Sequence, residues 1–427
     1  MRIEELYSLF LKSGVVSTDT RNISEGCLFF ALKGDNFNGN KFAEKALESG
    51  AAYSIIDEKL YKISDRNILV DNVLGALQEL AQYHRSQLSI PVVAVTGSNG
   101  KTTSKELIHS VLSKKFKVAY TKGNLNNHIG VPLTLLEITA EHEIALIEMG
   151  DNHSKEVELL CKIAQPNFGF VTNVGKDHLE GFGSFENNVN AKKEVFDYLE
   201  KVKGTVFLDQ SDKLVSSMVD ESIPKVTYGE KDSDSYIVFK ESNPLVVFVD
   251  ELGNEITTNL FGAFNFNNIK LAYCIGKHFN VELVDISKGL SEYTPDNNRS
   301  QVLKTDRNTL IMDAYNANPS SVEEAVKSFS NMDTDRSKIL ILGDMFELGS
   351  YSDEEHENMA VLAMNSGFDN VILVGVNYAK VSGLTNVIVF ETKEETELYL
   401  KKIAPEGAII LLKGSRGMRL ESLKPLL

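Results

Sequence analysis

The stretch "IPVVAVTGSNGKTT" (residues 90–103) decides how the chain around it folds. Its apolar first half predicts a buried strand, and the following "KTTSKELIHSVLSKK" (101–115) predicts a helix. A glycine turn between them leaves backbone N–H groups free at the positive end of the helix dipole, an arrangement that binds phosphate. The common pattern G-x-x-x-x-G-K-[ST] needs a glycine where Val95 lies, whereas the first glycine here is Gly97. The stretch therefore predicts a phosphate loop two residues shorter than the common one.

Each residue type in this loop suits the binding of a nucleoside triphosphate. We expect Lys101 to reach the β- and γ-phosphates and the Thr102 hydroxyl to ligate magnesium. The alternative is a plain strand-to-helix turn that happens to contain G-K-T, which the apolar strand before it and the helix after it disfavour. The predicted ATP-binding residues of the loop are Gly97, Ser98, Asn99, Gly100, Lys101, Thr102 and Thr103.

Composition excludes several classes of function. The 427 residues carry a formal net charge of −16, which argues against a nucleic-acid or anionic-membrane partner. Cys27, Cys161 and Cys274 are far apart and odd in number, so they indicate neither a disulfide framework nor a zinc site. The N-terminus lacks the pattern of a signal peptide, and no apolar run approaches the roughly 20 residues that span a bilayer. We therefore expect a cytoplasmic protein with no stable membrane insertion.

Strand and helix patterns alternate along most of the chain, which predicts parallel, doubly wound sheets with right-handed crossovers. A polar, β-rich stretch at about 225–261 interrupts this alternation, and it restarts after "TPDNNRS" (294–300). We predict three α/β domains: an N-terminal one at 1–86, a central one with the phosphate loop at 87–296, and a Rossmann-like C-terminal one at 297–427.

Further blocks resemble the Mur ligase family, which also uses the shorter phosphate loop. They lie in order along nearly the whole chain: "STDTRNISEGCLFFALKGDNFNGNKFAEKALESGA" (17–51), "TKGNLNNHIGVPLTLL" (121–136), "IEMGDNHSKEV" (147–157), "DHLEGFGSFENNVNAKKEVF" (177–196), "DAYNANPSS" (313–321), "LGDMFELG" (342–349) and "LLKGSRGM" (411–418). The first block is similar to the family's uridine-nucleotide-binding domain. This resemblance implies that the domain at 1–86 binds a UDP-sugar.

Within the family, "GNLNNHIGVP", "HLEGFGS" and "DAYNANP" favour the members that join D-alanyl-D-alanine to UDP-N-acetylmuramoyl-tripeptide. The resemblance implies an ATP-dependent, ADP-forming carbon–nitrogen ligase that works through an acyl phosphate in peptidoglycan synthesis, and so serves cell shape and division. We expect a monomer. The alternatives are another Mur-type amino acid ligase, a folylpolyglutamate synthetase-like enzyme or, from another class, a nucleotide-dependent switch protein.

The same resemblance implies two magnesium ions. Glu148 ends an apolar strand, where a magnesium-binding carboxylate belongs, and the family agrees. His178 resembles the histidine that helps to hold the second ion, and Lys192 aligns with the family's carbamylated lysine, which leaves Lys193 on a variable position. The implied metal ligands are thus Thr102, Glu148, His178 and Lys192. With Lys101, the last three are also the implied catalytic residues.

Other predicted contacts to ATP and the acceptor lie farther along the chain. Asn265 and Asn268 resemble adenine-binding asparagines, although Phe264 replaces the family's usual histidine. Arg299 follows Asn298, where relatives have glycine. Asp313 closes a strand and suits ribose hydroxyls. The predicted substrate residues near the last strands are Tyr315, Asn316, Asn318, Lys413, Ser415 and Arg416, of which Arg416 suits a carboxylate best.

Two polar loop clusters complete the predicted substrate sites. The uridine nucleotide is assigned by resemblance to Ser17, Asp19, Thr20, Arg21, Lys33, Gly34 and Asp35. The muramoyl-peptide side is assigned in the same way to Asn124, Asn126, Asn127, Asn152 and His153. Polar clusters of this kind also occur where side chains only satisfy a turn backbone.

Overall fold

A computed structural model describes all residues, Met1–Leu427. Its helices are α1 (Ile3–Ser13), α2 (Ala43–Glu48), α3 (Val73–Ser86), α4 (Lys101–Leu112), α5 (Gly130–Leu136), α6 (Glu156–Ala164), α7 (Leu179–Phe182), α8 (Phe185–Val202), α9 (Lys213–Met218), α10 (Asn265–His278), α11 (Leu283–Glu292), α12 (Pro319–Ser330), α13 (Ser352–Asn365) and α14 (Lys393–Ile403). None of them is both long and apolar enough to cross a bilayer.

The strands are β1 (Val16–Ser17), β2 (Leu28–Phe30), β3 (Lys33–Gly34), β4 (Phe37–Asn38), β5 (Tyr53–Ile56), β6 (Asn67–Leu69), β7 (Val92–Thr96), β8 (Val118–Tyr120), β9 (Ile144–Glu148), β10 (Phe168–Val171), β11 (Thr205–Asp209), β12 (Lys225–Tyr228), β13 (Val238–Ser242), β14 (Leu245–Val249), β15 (Glu255–Phe261), β16 (Gln301–Lys304), β17 (Thr309–Asp313), β18 (Lys338–Gly343), β19 (Asn370–Val374), β20 (Ile388–Phe390) and β21 (Ile409–Lys413). They form three larger sheets and one short hairpin. The prediction of three α/β domains is confirmed.

The middle sheet positions the phosphate loop. Its strand order is β12-β11-β10-β7-β9-β8, and every neighbouring pair is parallel. All five residues of β7 are buried, as its apolar sequence predicts, and α4 begins at Lys101 directly after the loop. Because β7 and β9 are parallel neighbours, the carboxyl end of β9 brings Glu148 beside the loop.

The C-terminal sheet has a parallel centre of five strands in the order β17-β21-β18-β19-β20. Strand β16 adds to it antiparallel to β17, and the antiparallel strands β13 to β15 continue the sheet beyond β16. The stretch at 225–261 is therefore divided: β12 completes the middle sheet, whereas β13, β14 and β15 extend the C-terminal one. Since parallel strands end at one edge, β17 and β21 bring Asp313 and Lys413 side by side.

The N-terminal sheet is small, parallel and ordered β1-β2-β5-β6. One of its core clusters, which includes Leu28, Phe30 and Ile55, is continuous with that of the middle sheet through Leu77 and Leu80 of α3. Helix α3 begins at the Asn72 cap, whose side chain accepts from the Gly75 N–H. The packing of α3 thus fixes the N-terminal sheet against the middle one.

Candidate active site

The phosphate loop has the backbone that its glycines predict. Gly97 and Gly100 have φ angles of 135° and 80°, in the region that favours glycine. A Cβ atom on Gly97 would lie 2.0 Å from Thr172 Oγ1, and one on Gly100 would lie 2.5 Å from Asn268 Oδ1. Both positions therefore exclude any larger residue. Because no side chain covers the turn at these two positions, its backbone N–H groups remain accessible before α4.

Lys101 folds back over the loop. Its Nζ donates to the carbonyl oxygens of Gly97 and Ser98, the latter at 3.1 Å. Burial lowers the pKa of the Lys101 ammonium. Its hydrogen bonds go only to neutral carbonyls, so the ammonium can exchange them for the oxygens of an incoming polyphosphate.

Glu148 lies at the carboxyl end of β9, as predicted. Its Oε1 accepts from Thr102 Oγ1 at 3.1 Å and from Asn126 Nδ2 at 2.9 Å. Its Oε2 is buried and has no hydrogen-bond donor, with Lys105 Nζ at 3.7 Å as its nearest cation. The glutamate therefore presents a free carboxylate oxygen next to the threonine hydroxyl.

Lys192 of α8 is completely buried, whereas Lys193 is half-exposed and pairs with Asp197 on its own helix. Lys192 Nζ lies 2.6 Å from Asp151 Oδ1 and 3.7 Å from Asp177 Oδ2. Both aspartates were missed in the sequence, where isolated acids in polar loops carry no distinguishing signal. In this structure the lysine is thus an amine between two carboxylates.

The His178 ring makes no hydrogen bond to Lys192 or its two aspartates, because it faces a different acid, Glu347. His178 Nδ1 lies 2.6 Å from Glu347 Oε2, and the backbone of His178 is left-handed with φ of 46°. The hydrogen bond with His178 lowers the pKa of the Glu347 carboxyl. It also joins the loop before α7 to the loop after β18, which belong to different sheets.

No group of three His, Cys, Asp or Glu side chains is arranged to hold a metal. Three buried carboxylate oxygens nevertheless lack a hydrogen-bond donor: Glu148 Oε2, Asp151 Oδ2 and Asp177 Oδ2. Oxygen ligands of this kind, with the Thr102 hydroxyl, are those that magnesium prefers. The donor set around the loop therefore fits magnesium.

The ends of β17 and β21 form the opposite wall. Lys413 Nζ lies 2.9 Å from Asp313 Oδ2 and donates to the Asn316 carbonyl at 2.9 Å, while Asp313 Oδ1 accepts from the Ser300 N–H. The Arg299 guanidinium stacks on the Tyr315 ring at 3.8 Å, and its Nε has no acceptor. This wall offers a planar cation and a fixed carboxylate to a ligand.

Arg416 also stacks on Tyr315, at 5.1 Å, and is exposed. Ser415 is buried and its Oγ accepts from the Phe346 N–H at 2.9 Å. Asn318 caps α12 and its Nδ2 donates to Asn99 Oδ1 at 2.8 Å, which connects the C-terminal wall to the phosphate loop.

The two predicted adenine-binding residues form a chain of amides. Asn268 Nδ2 donates to Asn265 Oδ1 at 2.8 Å, and Asn265 Nδ2 donates to the Phe261 carbonyl at 2.7 Å. Ser104 of the loop helix donates to Asn268 Oδ1 at 3.0 Å. Both side chains are thus held by the protein at the edge of the loop.

A cavity of about 510 Å³ separates the two walls and is lined almost wholly by polar side chains. Many predicted residues line it together: Ser98, Asn99, Gly100, Lys101, Thr102, Thr103, Asn124, Asn126, Asn127, Glu148, Asn152, His178, Asn265, Asn268, Arg299, Asp313, Tyr315, Asn316, Asn318 and Lys413. Five others do not line it: Gly97, His153, Lys192, Ser415 and Arg416.

Several lining or supporting residues were missed in the sequence. Asp151, Asn173 and Glu324 line the cavity, and Lys105 and Asp177 contact residues in its wall. Of these residues, Lys105 could have been found from the sequence, because it follows Lys101 by one helical turn and so lies on the same face of the helix.

The predicted uridine residues lie outside this cavity, in the N-terminal sheet region. Asp19 binds Arg21 at 2.6 Å, which lowers the pKa of the Asp19 carboxyl to about 2, and the Ser17 hydroxyl donates to the carbonyls of Asp19 and Asn22. Lys33 lies 3.0 Å from Asp57 Oδ1. Thr20, Gly34 and Asp35 are within the same two loops, with Gly34 and Asp35 exposed.

Three family models match the chain in order. They are the Mur ligase family catalytic domain at residues 14–85, the Mur ligase middle domain at 95–276 and the Mur ligase glutamate ligase domain at 298–416. Together they cover both walls of the cavity.

Curated relatives match over nearly the full length. The UDP-N-acetylmuramoyl-tripeptide–D-alanyl-D-alanine ligase of Bacillus subtilis is 33% identical, with 96% of this chain and 92% of that protein covered. The enzyme of the same name from Escherichia coli is 32% identical, over 98% of this chain and 94% of its own length.

Solved structures agree with this likeness. A crystal structure of MurF from Acinetobacter baumannii has a TM-score of 0.87 and 29% identity, covering 96% of this chain and 92% of that one. MurF from Thermotoga maritima in complex with ADP has a TM-score of 0.85 and 26% identity, covering 97% of both chains. With its three matched domains and relatives of this identity and coverage, the chain belongs to the Mur ligase family.

Proposed function

We propose that the protein is an ATP-dependent, ADP-forming ligase that joins D-alanyl-D-alanine to UDP-N-acetylmuramoyl-tripeptide through an acyl phosphate. In this role it acts in the cytoplasm, as a monomer, in the synthesis of peptidoglycan precursors, and so supports cell shape and division. The observation that carries the proposal is the single polar cavity that has the phosphate loop on one wall and the Asp313–Lys413 pair on the other. The names of the relatives and the ADP bound to the Thermotoga protein support it.

Forming an amide from a carboxylate requires that the carboxylate oxygen first become a good leaving group, which the γ-phosphate of ATP provides. In this proposal the loop N–H groups and Lys101 hold the phosphates and stabilise charge on the transferring phosphoryl group. Asn265 and Asn268 contact the adenine, Asp313 accepts from the ribose hydroxyls, and Arg299 approaches the phosphates from the opposite wall. The cavity brings these groups together at one place.

Magnesium belongs to the same proposal. Thr102 and the free Oε2 of Glu148 would hold one ion, and His178 and Lys192 would help to hold a second. Bound magnesium neutralises charge on the phosphoryl oxygens. For Lys192 to serve as a ligand, its neutral amine would add carbon dioxide and release one proton, which would replace a cation by a carbamate anion with two oxygen ligands. The unsatisfied oxygens of Asp151 and Asp177 support a bound cation near that position.

The remaining predicted residues are assigned to the larger substrates. The UDP group contacts Ser17, Asp19, Thr20, Arg21, Lys33, Gly34 and Asp35, and the muramoyl-peptide contacts Asn124, Asn126, Asn127, Asn152 and His153. Tyr315, Asn316, Asn318, Lys413, Ser415 and Arg416 surround the carboxylate end of the acceptor. We also propose domain boundaries after residues 86 and 296, which none of the three matched family ranges crosses.

Acceptor-dependent phosphate release tests the function. With ATP, magnesium and the UDP-tripeptide present, we expect D-alanyl-D-alanine to trigger release of phosphate and ADP in equal amounts, with a product heavier by the dipeptide less water. L-Lysine, diaminopimelate and L-glutamate serve as control acceptors and should give none. Release with one of these controls, or hydrolysis that is independent of any acceptor, would contradict the proposal.

A further inference from the structure

Glu324 is a cavity residue to which no role has been given so far. It lies in the second turn of α12, whose buried residues Val322, Ala325 and Val326 pack into the core. Ser321 and Glu324 are three residues apart on one face of the helix, and both line the cavity. The helix therefore directs this carboxylate toward the space between the phosphate loop and the C-terminal wall.

The other acidic side chains of the cavity wall all have partners within the protein. Glu148 accepts from Thr102, Asp151 pairs with Lys192, Glu156 accepts from the Asn152 N–H, and Asp313 pairs with Lys413. The Glu324 side chain, by contrast, is exposed to solvent and makes no hydrogen bond or ion pair within the protein. Its neighbour Glu323 faces away from the cavity and binds Lys327 at 2.5 Å. Among the acidic side chains that line the cavity, Glu324 is thus the one whose carboxylate is open to a ligand.

We propose that Glu324 binds the ammonium group of the amine acceptor and takes up its proton before the amine attacks. This inference rests on the proposed function. ATP, the tripeptide carboxylate and the acceptor carboxylate are all anionic, so an unpaired glutamate repels each of them at short range. The acceptor ammonium is the cation of the reacting pair, and it needs both a counter-charge and a base.

The proton balance of the step is simple. The ammonium gives one proton to the Glu324 carboxylate and becomes a neutral amine. The amine nitrogen forms a bond to the acyl carbon, the bond from that carbon to the phosphate oxygen breaks, and the nitrogen's second proton leaves with the phosphate. The protonated Glu324 then returns its proton to water.

The charges around Glu324 suit a base. Lys413 of β21 attracts its ionised form, as does Lys327 of α12, whereas Asp313 of β17 and Glu323 of α12 oppose it. Although its side chain is exposed, the surrounding wall removes part of the water around Glu324. This partial desolvation is the larger effect, and it raises the pKa of the Glu324 carboxyl above its ordinary value. A carboxyl with a raised pKa is a better proton acceptor near neutral pH than an ordinary one.

Two nucleophiles test the inference in Glu324→Gln, with Glu323→Gln as the matched control. D-Alanyl-D-alanine must lose a proton, whereas hydroxylamine is already neutral at neutral pH and traps the acyl phosphate as a hydroxamate. We expect Glu324→Gln to lower kcat/KM for the dipeptide by about 100-fold, the effect of a lost general base. The same variant should form hydroxamate at the wild-type rate, and Glu323→Gln should match the wild type with both nucleophiles.

Each other result has a distinct meaning. Equal loss with both nucleophiles overturns the inference, because Glu324 would then act before the amine does. No loss with either nucleophile overturns it as well. A raised KM for the UDP-tripeptide with unchanged kcat/KM for the dipeptide overturns it in favour of a contact to an amine of the tripeptide. Absence of dipeptide-dependent phosphate release in the wild type would refute the proposed function and this inference with it, whereas the outcomes above concern Glu324 alone.

Discussion

Replacing Lys192 with methionine removes a cation from the most buried ionic cluster of the middle domain. The ammonium lies 2.6 Å from Asp151 Oδ1, and both side chains are fully buried. At an effective dielectric of about 20, charges at that distance attract by about 6 kcal/mol, part of which offsets their desolvation. Removal of one partner leaves two buried carboxylates uncompensated, which costs about 3–5 kcal/mol. Lys192→Met should therefore destabilise the middle domain strongly.

Hydrogen exchange measured by mass spectrometry suits this question, since it reports on one domain of a multidomain chain. Without magnesium or bicarbonate, amides of α8 in Lys192→Met should exchange at least about 100-fold faster than in the wild type. Lys193→Met is the matched control: Lys193 and its partner Asp197 are both half-exposed, so the loss should stay below about 1 kcal/mol. The double variant Lys192→Met with Asp151→Asn should recover much of the protection, because it leaves one carboxylate fewer unpaired. Equal exchange in the two single variants would refute the assignment of Lys192 as the cation of this cluster.

Three further results are expected. Lys101→Ala should lower ligation by a factor of about 100 or more at saturating ATP, and retention of over about a tenth of the activity would count against the phosphate-loop assignment. Lys176 binds the nearly buried Glu355 at 2.7 Å across two sheets, so Lys176→Glu should slow ligation and the exchanged pair with Glu355→Lys should restore it; no rescue would mean that the pair is incidental. A carbamate signal in carbon-13 NMR should require both labelled bicarbonate and magnesium and should vanish in Lys192→Met but not in Lys193→Met, and the reverse pattern would show that the neighbouring lysine is the modified one.

The local parts of the site could be predicted from the sequence. The loop from Gly97 to Thr103 is specified by residues adjacent in the chain, because a buried strand, two glycines and a helix start determine its shape. Glu148 and Asp313 were predictable for a related reason, since parallel strands place their carboxyl ends at one edge of a sheet.

Features that depend on distant residues could not be predicted. Asp177 and Glu324 resemble ordinary surface acids in the sequence, and only the folded chain shows that the first contacts Lys192 and the second lines the cavity. The division of the stretch at 225–261 between two sheets was missed for the same reason. Which strands pair depends on tertiary packing between distant parts of the chain, and the hydrophobic periodicity of one segment does not contain that information.

The link between β15 and β16 has a mechanical consequence. These strands are hydrogen-bonded through the single residue pair Leu260–Gln301, whereas β16 and β17 are paired at four positions. A long ladder resists rotation of one strand against the next, but a one-pair join resists it only weakly. Rotation of the five parallel strands against β13 to β15 therefore meets less resistance at this join than at the β16–β17 ladder. Such a rotation would change the gap between Lys413 and the phosphate loop without altering the strand order of any sheet. It would first have to break the contacts His178–Glu347 and Lys176–Glu355, which cross that gap.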